Sequence, residues 1–181
     1  MEIEQIITNR LRLRKLTPEV YPYIYEHYTD EELMEFLGLK SSEELSVEKE
    51  KYRLGLSTHF ISFVNFQLLD RQTGMHLGGC GFHTWYPKHR RAEIGYQLNL
   101  ESLKKQGLMS EAMPAILAYG FTAMNLNRVE ACIGQGNTAS IQLVKKFGFI
   151  QEGNLREHYN KEGKLQDSLI FSLLKKECDI Y

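Results

Sequence analysis

Arg91-Ala92-Glu93-Ile94-Gly95-Tyr96-Gln97-Leu98, followed shortly by Lys104-Lys105-Gln106-Gly107-Leu108-Met109-Ser110-Glu111-Ala112, is the stretch that decides the fold. In the first part, Ala92, Ile94, Tyr96 and Leu98 alternate with Glu93, Gly95 and Gln97, which is the pattern of a half-buried strand. The second part is a basic loop whose glycine opens into a helix. That helix reaches about Met124, with Pro114 placed in its first turns, where a missing N–H is tolerated. Residues 128–133 are a short apolar strand. A strand–helix–strand unit of this length makes its two strands parallel.

Working outward, Arg10-Leu11-Arg12-Leu13-Arg14 alternates as a strand. Thr17 and Pro18 predict a helix to about Tyr28, with Thr17 as N-cap and Pro18 at its first position. Short helices are expected over 31–37 and, with Ser46 near the cap, 46–55. Residues 61–70 and 75–84 form a hairpin about Arg71-Gln72-Thr73-Gly74. Gly78, Gly79 and Gly81 in its second strand mark a bulge or a close approach by a backbone or ligand. Residues 85–90 read as a loop. Gly134-Gln135-Gly136-Asn137 is a turn before a helix over 138–147, which Gly148 ends. A strand starts at 149–153, and Asn160-Lys161-Glu162-Gly163 turns the chain into the last strand, 166–174. The expectation is a mixed α/β fold in one domain, 1–181: a mostly antiparallel sheet of about seven strands flanked by helices.

The chain has 181 residues, with 22 Lys+Arg against 23 Asp+Glu, a net charge of −1. That balance gives no basis for general nucleic-acid binding or for a polybasic membrane patch. The most apolar stretch, 60–69, is too short to span a bilayer, and Met1-Glu2-Ile3-Glu4-Gln5 does not read as a signal peptide. Cys80, Cys132 and Cys178 read as free thiols of a cytoplasmic protein, and the six His residues show no metal-ligand spacing.

The sharpest chemical feature is the 104–110 loop. A helix N-terminus offers unpaired N–H groups, Gly107 permits close backbone approach, and Lys104 and Lys105 add charge, a combination suited to phosphate or pyrophosphate. The alternative is an ordinary loop with solvated lysines. Gly-x-x-x-x-Gly-Lys-Ser/Thr and Gly-x-Gly-x-x-Gly are both absent, so nucleotide-hydrolase and dinucleotide loops are not indicated.

The ordered set Arg10-Leu11-Arg12-Leu13-Arg14, Ala92-Glu93-Ile94-Gly95-Tyr96, Gln106-Gly107-Leu108-Met109-Ser110-Glu111-Ala112, Asn137-Thr138-Ala139-Ser140 and Lys146-Phe147-Gly148-Phe149 resembles the GNAT N-acetyltransferases. It is most similar to their RimJ/RimL branch, which acetylates N-terminal amines of ribosomal proteins. The resemblance covers about residues 8–176. It implies a sheet splayed between its fourth and fifth strands, 91–98 and 128–133, with acetyl-CoA in the splay and no metal. The acyl-CoA loop, Gln/Arg-x-x-Gly-x-Gly/Ala, maps to Lys104, Lys105, Gln106, Gly107, Leu108 and Met109, with Ser110 following. Lys104 and Met109 depart from the pattern. Asn137 would bond the pantetheine arm, and the strand end at Gln97 and Leu98 would polarise the thioester carbonyl through a backbone N–H.

Acetyl transfer needs a neutral amine, yet a lysine-type amine is about 1% or less neutral near pH 7 and an α-amine roughly 10%. Glu93 is the candidate base, its alternative being a structural ion pair, for instance with Arg91. Many acetyltransferases of this superfamily use a Tyr on the last helix to protonate the thiolate. Val144 stands there, and the resemblance implies that Ser140 substitutes; a helix-start hydroxyl bonding only backbone is the alternative. His83, Trp85, Tyr86 and Tyr159 are candidates for the acceptor cleft, and the acidic first third could attract a cationic acceptor. The leading expectation is an acetyl-CoA-dependent N-acetyltransferase of a protein or peptide α-amine, such as a ribosomal protein N-terminus, in a protein that can form a homodimer. A small-amine enzyme (aminoglycoside, polyamine or amino-acid-like toxin) and a non-catalytic acyl-CoA-binding module are the alternatives.

Overall fold

Alternating apolar and polar residues build one eight-stranded sheet in the computed structural model, which describes residues 1–55 and 61–178. Residues 56–60, including Phe60 of the apolar stretch, and 179–181 lie outside the described residues. In chain order the elements are β1 (Gln5–Ile7), β2 (Leu11–Leu16), α1 (Val20–His27), α2 (Asp30–Leu37), α3 (Ser42–Leu54), β3 (Ser62–Asp70), β4 (His76–Tyr86), β5 (Arg91–Leu98), α4 (Leu108–Thr122), β6 (Arg128–Gly134), α5 (Thr138–Lys146), β7 (Ile150–Lys161) and β8 (Lys164–Leu174). The sheet order is β1-β2-β3-β4-β5-β6-β8-β7, antiparallel throughout except for β5 and β6.

Those two strands pair only at Arg91↔Arg128, Ala92↔Val129 and Glu93↔Glu130. Past Glu93 the ladder stops, so the remainder of β5 presents an edge without a strand on that side. The expected splay is therefore present, with Glu93 as the last paired residue of β5.

The sheet's two faces are covered differently. Leu13, Phe66, Phe82, Ile94, Val129 and Phe171 are buried in one core with Met113, Ile116, Leu117 and Phe121 of α4 and Val144 of α5. On the other face, Leu16 joins Val20, Ile24, Leu33, Phe36 and Leu45 of α1–α3 in a separate, smaller cluster. Because α1–α3 precede β3, they cover the N-terminal half of the sheet and leave Glu93, Glu130 and Cys132 on a half-exposed surface.

Several local expectations change. The sheet has eight strands, because the three-residue β1 carries too little alternation to be read alone. α1 starts at Val20, with Glu19 and not Thr17 at its N-cap: residues 17–19 form a turn in which the Thr17 carbonyl accepts the Val20 N–H at 3.0 Å. α3 is capped by Ser41, whose hydroxyl accepts the Glu44 N–H at 3.3 Å, not by Ser46. β4 continues to Tyr86 through what reads as a loop. Pro114 is the seventh residue of α4, so the Ser110 carbonyl loses its i+4 donor inside the helix. β7 runs well past Gly153, its polar residues being those of an exposed sheet edge.

Candidate active site

The 104–110 loop is held in place from β2. Gly107, the N-cap of α4, has φ +77, a conformation that side-chain-bearing residues rarely adopt, and no side chain caps the helix. The first N–H groups of α4 therefore have neither an intrahelical acceptor nor a capping oxygen. Arg10 reaches across from the start of β2: its Nη1 donates to the Gln106 carbonyl (3.1 Å) and its Nε to Glu111 Oε2 (2.6 Å). Glu111 also accepts the Arg10 backbone N–H (2.6 Å) and the Thr8 hydroxyl (2.7 Å). Burial pushes the Glu111 carboxyl up, but these donors outweigh it and hold it below the ordinary carboxylate range.

Charge here differs from the reading of the lysines alone. Lys104 is paired with Glu101 at 2.5 Å, which offsets its charge, while Lys105 takes φ +60 within the loop. The cation nearest Gly107 is Arg10, itself paired with Glu111, with its Nη2 3.7 Å from where a Cβ at that position would lie. In the sequence Arg10 is one of several alternating arginines, and nothing local singles it out. Gln106 donates from Nε2 to the Ser102 carbonyl (2.7 Å), and Leu108 and Met109 turn into the core while Ser110 is half-buried.

Across the splay, the β4–β5 register aligns Gly81 with Gly95 and His83 with Glu93. His83, Gly95 and Gln97 line a cavity of about 310 Å³ with Tyr21, Asn65 and Gln67. A neighbouring cavity of about 470 Å³ shares Tyr21, Gln67 and Gln97 and adds Glu44 and Glu48. Burial, with the nearby Glu48 charge, pushes the Tyr21 hydroxyl up to about 12. The acids of these helices are engaged locally: Glu48 with Lys51 (2.5 Å), Glu44 with the Lys40 N–H (2.8 Å), Asp30 with Lys49 (2.6 Å), Glu50 with Arg53 (2.7 Å) and Glu32 in the α2 capping box.

Glu93 stands where the strands part. Its Oε2 is 3.9 Å from His83 Nδ1, and its carboxylate is hydrogen-bonded by the Cys132 thiol of β6. Burial, then the Glu93 charge, push that thiol up to about 12, so Cys132 stays protonated. Burial likewise pushes Cys80 up. The Arg91 pairing weighed for Glu93 goes elsewhere: Arg91 Nη1 donates to Glu130 Oε2 at 2.8 Å.

Asn137 is the N-cap of α5, its Oδ1 accepting the Ser140 N–H at 3.2 Å. Tyr96 spans from β5 to α5, its hydroxyl 3.5 Å from the Ser140 carbonyl. Val144 is fully buried. Leu98 is opposite Gly78 and packs on the main core. Trp85 also packs on that core, with its indole N–H buried and unpartnered among the described residues. The Tyr86 ring lies under the Arg91 guanidinium at 4.3 Å. Tyr159, on β7, donates to Gln166 Oε1 (2.8 Å) with its oxygen over Gly134. His83 is thus the one member of the expected aromatic acceptor set that joins Glu93. Among the described residues no group of three His, Cys, Asp or Glu could hold a metal, and no helix is long and apolar enough to cross a membrane.

The acetyltransferase (GNAT) domain family matches residues 10–150. The chain is 34% identical over 176 residues to p20 of Bacillus licheniformis, named an uncharacterized N-acetyltransferase, covering 97% of this chain and 98% of that one. YdaF of Bacillus subtilis, which carries a provisional ribosomal N-acetyltransferase name, is 33% identical over 102 residues, 56% of this chain and 55% of its own. The spermidine/spermine N-acetyltransferase SpeG of Vibrio cholerae superposes with TM-score 0.68 at 21% identity, covering 92% of this chain and 96% of SpeG.

Proposed function

The chain belongs to the GNAT family of N-acetyltransferases, and we propose that it uses acetyl-CoA to acetylate the α-amine at the N-terminus of a protein or peptide. The observation that carries this reading is the splay, open past Glu93, together with the uncapped start of α4 and the approach of His83 to Glu93. An acyl-CoA fits these residues. Pyrophosphate would sit on the N–H groups of Leu108, Met109 and Ser110 beside Arg10 and Gly107, flanked by Lys104, Lys105 and Gln106. Pantetheine would run along the free edge of β5 toward Gln97 and Leu98, where a backbone N–H polarises the carbonyl. Asn137 and Ser140 would border it from α5. When bound, acetyl-CoA supplies an activated acetyl thioester.

The residues of this chain then have separate tasks. The acceptor amine's proton leaves toward Glu93, through the group or water that lies between them. The Ser140 hydroxyl returns a proton toward sulfur, because Val144 cannot. The acceptor enters through the cleft of Tyr21, Gln97 and His83. An α-amine suits a single weakly assisted base, since roughly a tenth of it is already neutral near pH 7. A second reading, a small polyamine, is favoured by Glu44 and Glu48 beside the same cleft.

CoA release measured with a panel of N-terminal peptides and small amines tests this. Turnover on peptides is expected; turnover on a small amine alone refutes the acceptor assignment. Calorimetry with acetyl-CoA separates an enzyme from a binding module, which would bind tightly and turn over nothing.

A further inference from the structure

Thr84 has φ +51 near the end of β4. For a β-branched residue that is a genuine outlier, and such strain persists only where the surroundings hold it, often at functional sites. Its position coincides with the break in register between His83 and Tyr86. There the Thr84 Oγ1 lies 3.0 Å from His83 Nδ1. The same Nδ1 is 3.9 Å from Glu93 Oε2. The opposite edge of the ring lies over Gly95, where a Cβ would fall 2.9 Å from both Cδ2 and Nε2. Any side chain at position 95 would displace the imidazole. His83 and Gly95 both line the 310 Å³ cleft, and the His83 side chain is 47% exposed.

Resting on the amine-acetylation reading, we infer that His83 is the catalytic base: its Nδ1 carries the ring hydrogen toward Thr84 and Glu93, and its Nε2 takes the amine's proton from the cleft. A ring nitrogen that faces an acceptor keeps the hydrogen and leaves the other nitrogen as the base; Nδ1 faces the Thr84 hydroxyl at 3.0 Å, with the Glu93 carboxylate beyond hydrogen-bond reach at 3.9 Å. Glu93 then works behind His83 as a positioning residue, stabilising the imidazolium, and Thr84 fixes the ring's rotation. The charges around the ring fit this division. Glu130 and Glu152, further carboxylates on this face, are both held by Arg128, Glu130 also by Arg91 at 2.8 Å, and Cys132 is a protonated donor to Glu93. His76 and Tyr21 line the cleft from β4 and α1. In the transfer, the neutral amine nitrogen bonds the acetyl carbon as the carbon–sulfur bond breaks. The nitrogen's proton passes to Nε2 and then to solvent, while sulfur keeps the bonding pair and takes up one proton.

The test compares His83→Asn, Glu93→Gln, Thr84→Val and Thr84→Ser in the full chain, measuring CoA release against pH. His83→Asn is expected to lower kcat/KM by about 100-fold or more near pH 6.5, with the deficit shrinking toward pH 9 and acetyl-CoA affinity unchanged. Thr84→Val should shift the acidic limb of the profile with little change in acceptor KM, and Thr84→Ser should restore it. If Glu93→Gln abolishes the acidic limb and His83→Asn leaves it intact, the base is Glu93 through water and the inference fails, while amine acetylation stands. No CoA release from the unmodified protein with any acceptor sinks the amine reading itself. Independently of turnover, long-range nitrogen–proton NMR spectra read the His83 tautomer, the signal being assigned by its loss in His83→Asn. Hydrogen on Nδ1 is expected, and hydrogen on Nε2 overturns the inference.

Discussion

On the α4 side of the splay, the groups that would meet a ligand are main-chain N–H groups at Leu108, Met109 and Ser110. On the β4–β5 side they are side chains, His83 and Gln97, with Glu93 beside His83. The first arrangement tolerates varied side chains, provided that Gly107 keeps its left-handed conformation and Arg10 with Glu111 holds the loop. The second depends on strand register, because a shift of one residue would turn Glu93 to the opposite face. On the proposed function one side serves binding and the other proton transfer, so substitutions on the two sides should separate affinity from turnover.

After His83→Asn, the largest separation is expected for Glu93→Gln, the carboxylate behind that ring. Turnover should fall about 100-fold at pH 6 and recover toward pH 9, where more amine is already neutral, with acetyl-CoA affinity unchanged. A loss of affinity instead would break the division between the two sides. Gly107→Val is the reciprocal test. A β-branched residue at φ +77 costs about 1–2 kcal/mol, so acetyl-CoA should bind about tenfold more weakly by calorimetry, with kcat at saturation retained. Ser140→Ala keeps the backbone N–H that Asn137 caps and removes only the hydroxyl. Transfer should slow about fivefold, the worth of one hydrogen bond, at constant affinity. If only affinity falls, Ser140 belongs to the binding side.

The smallest effect concerns the loop's anchor. Glu111 is depressed in the folded chain, so its contribution is fully present above the ordinary value of 4.5 and is lost as pH falls through the folded pKa. Glu111→Gln should cost about 1 kcal/mol at pH 7 and flatten the acid-side decline in stability, read by urea unfolding at pH 7 and pH 3.5. An unchanged acid limb would detach Arg10–Glu111 from the loop's order.

The legible parts of the molecule are those whose signals are local. The alternation of Ala92, Ile94, Tyr96 and Leu98 and the glycine opening α4 suffice to place the parallel pair. Ser41-Ser42-Glu43-Glu44 carries an N-cap signature that reading Ser46 as the cap overlooks. β1 was not legible: three residues become a strand only because β2 offers an edge. Trp85 reads as a cleft residue from its loop-like context, yet the β4 bulge turns it onto the main core. Arg10 is indistinguishable from Arg12 and Arg14 until the fold brings the start of β2 to the start of α4.

What the sequence determined by itself is the order of elements, the parallel crossover and the glycine loop at the head of α4, because period, turn chemistry and a positive φ are short-range properties. Tertiary structure alone decided that the β5–β6 ladder ends at Glu93, that His83 lies over Gly95 beside it, and that Arg10, from the start of β2, comes to lie beside Gly107. Each of these depends on the register between strands distant in sequence, which is set by how the whole sheet packs against α1–α5.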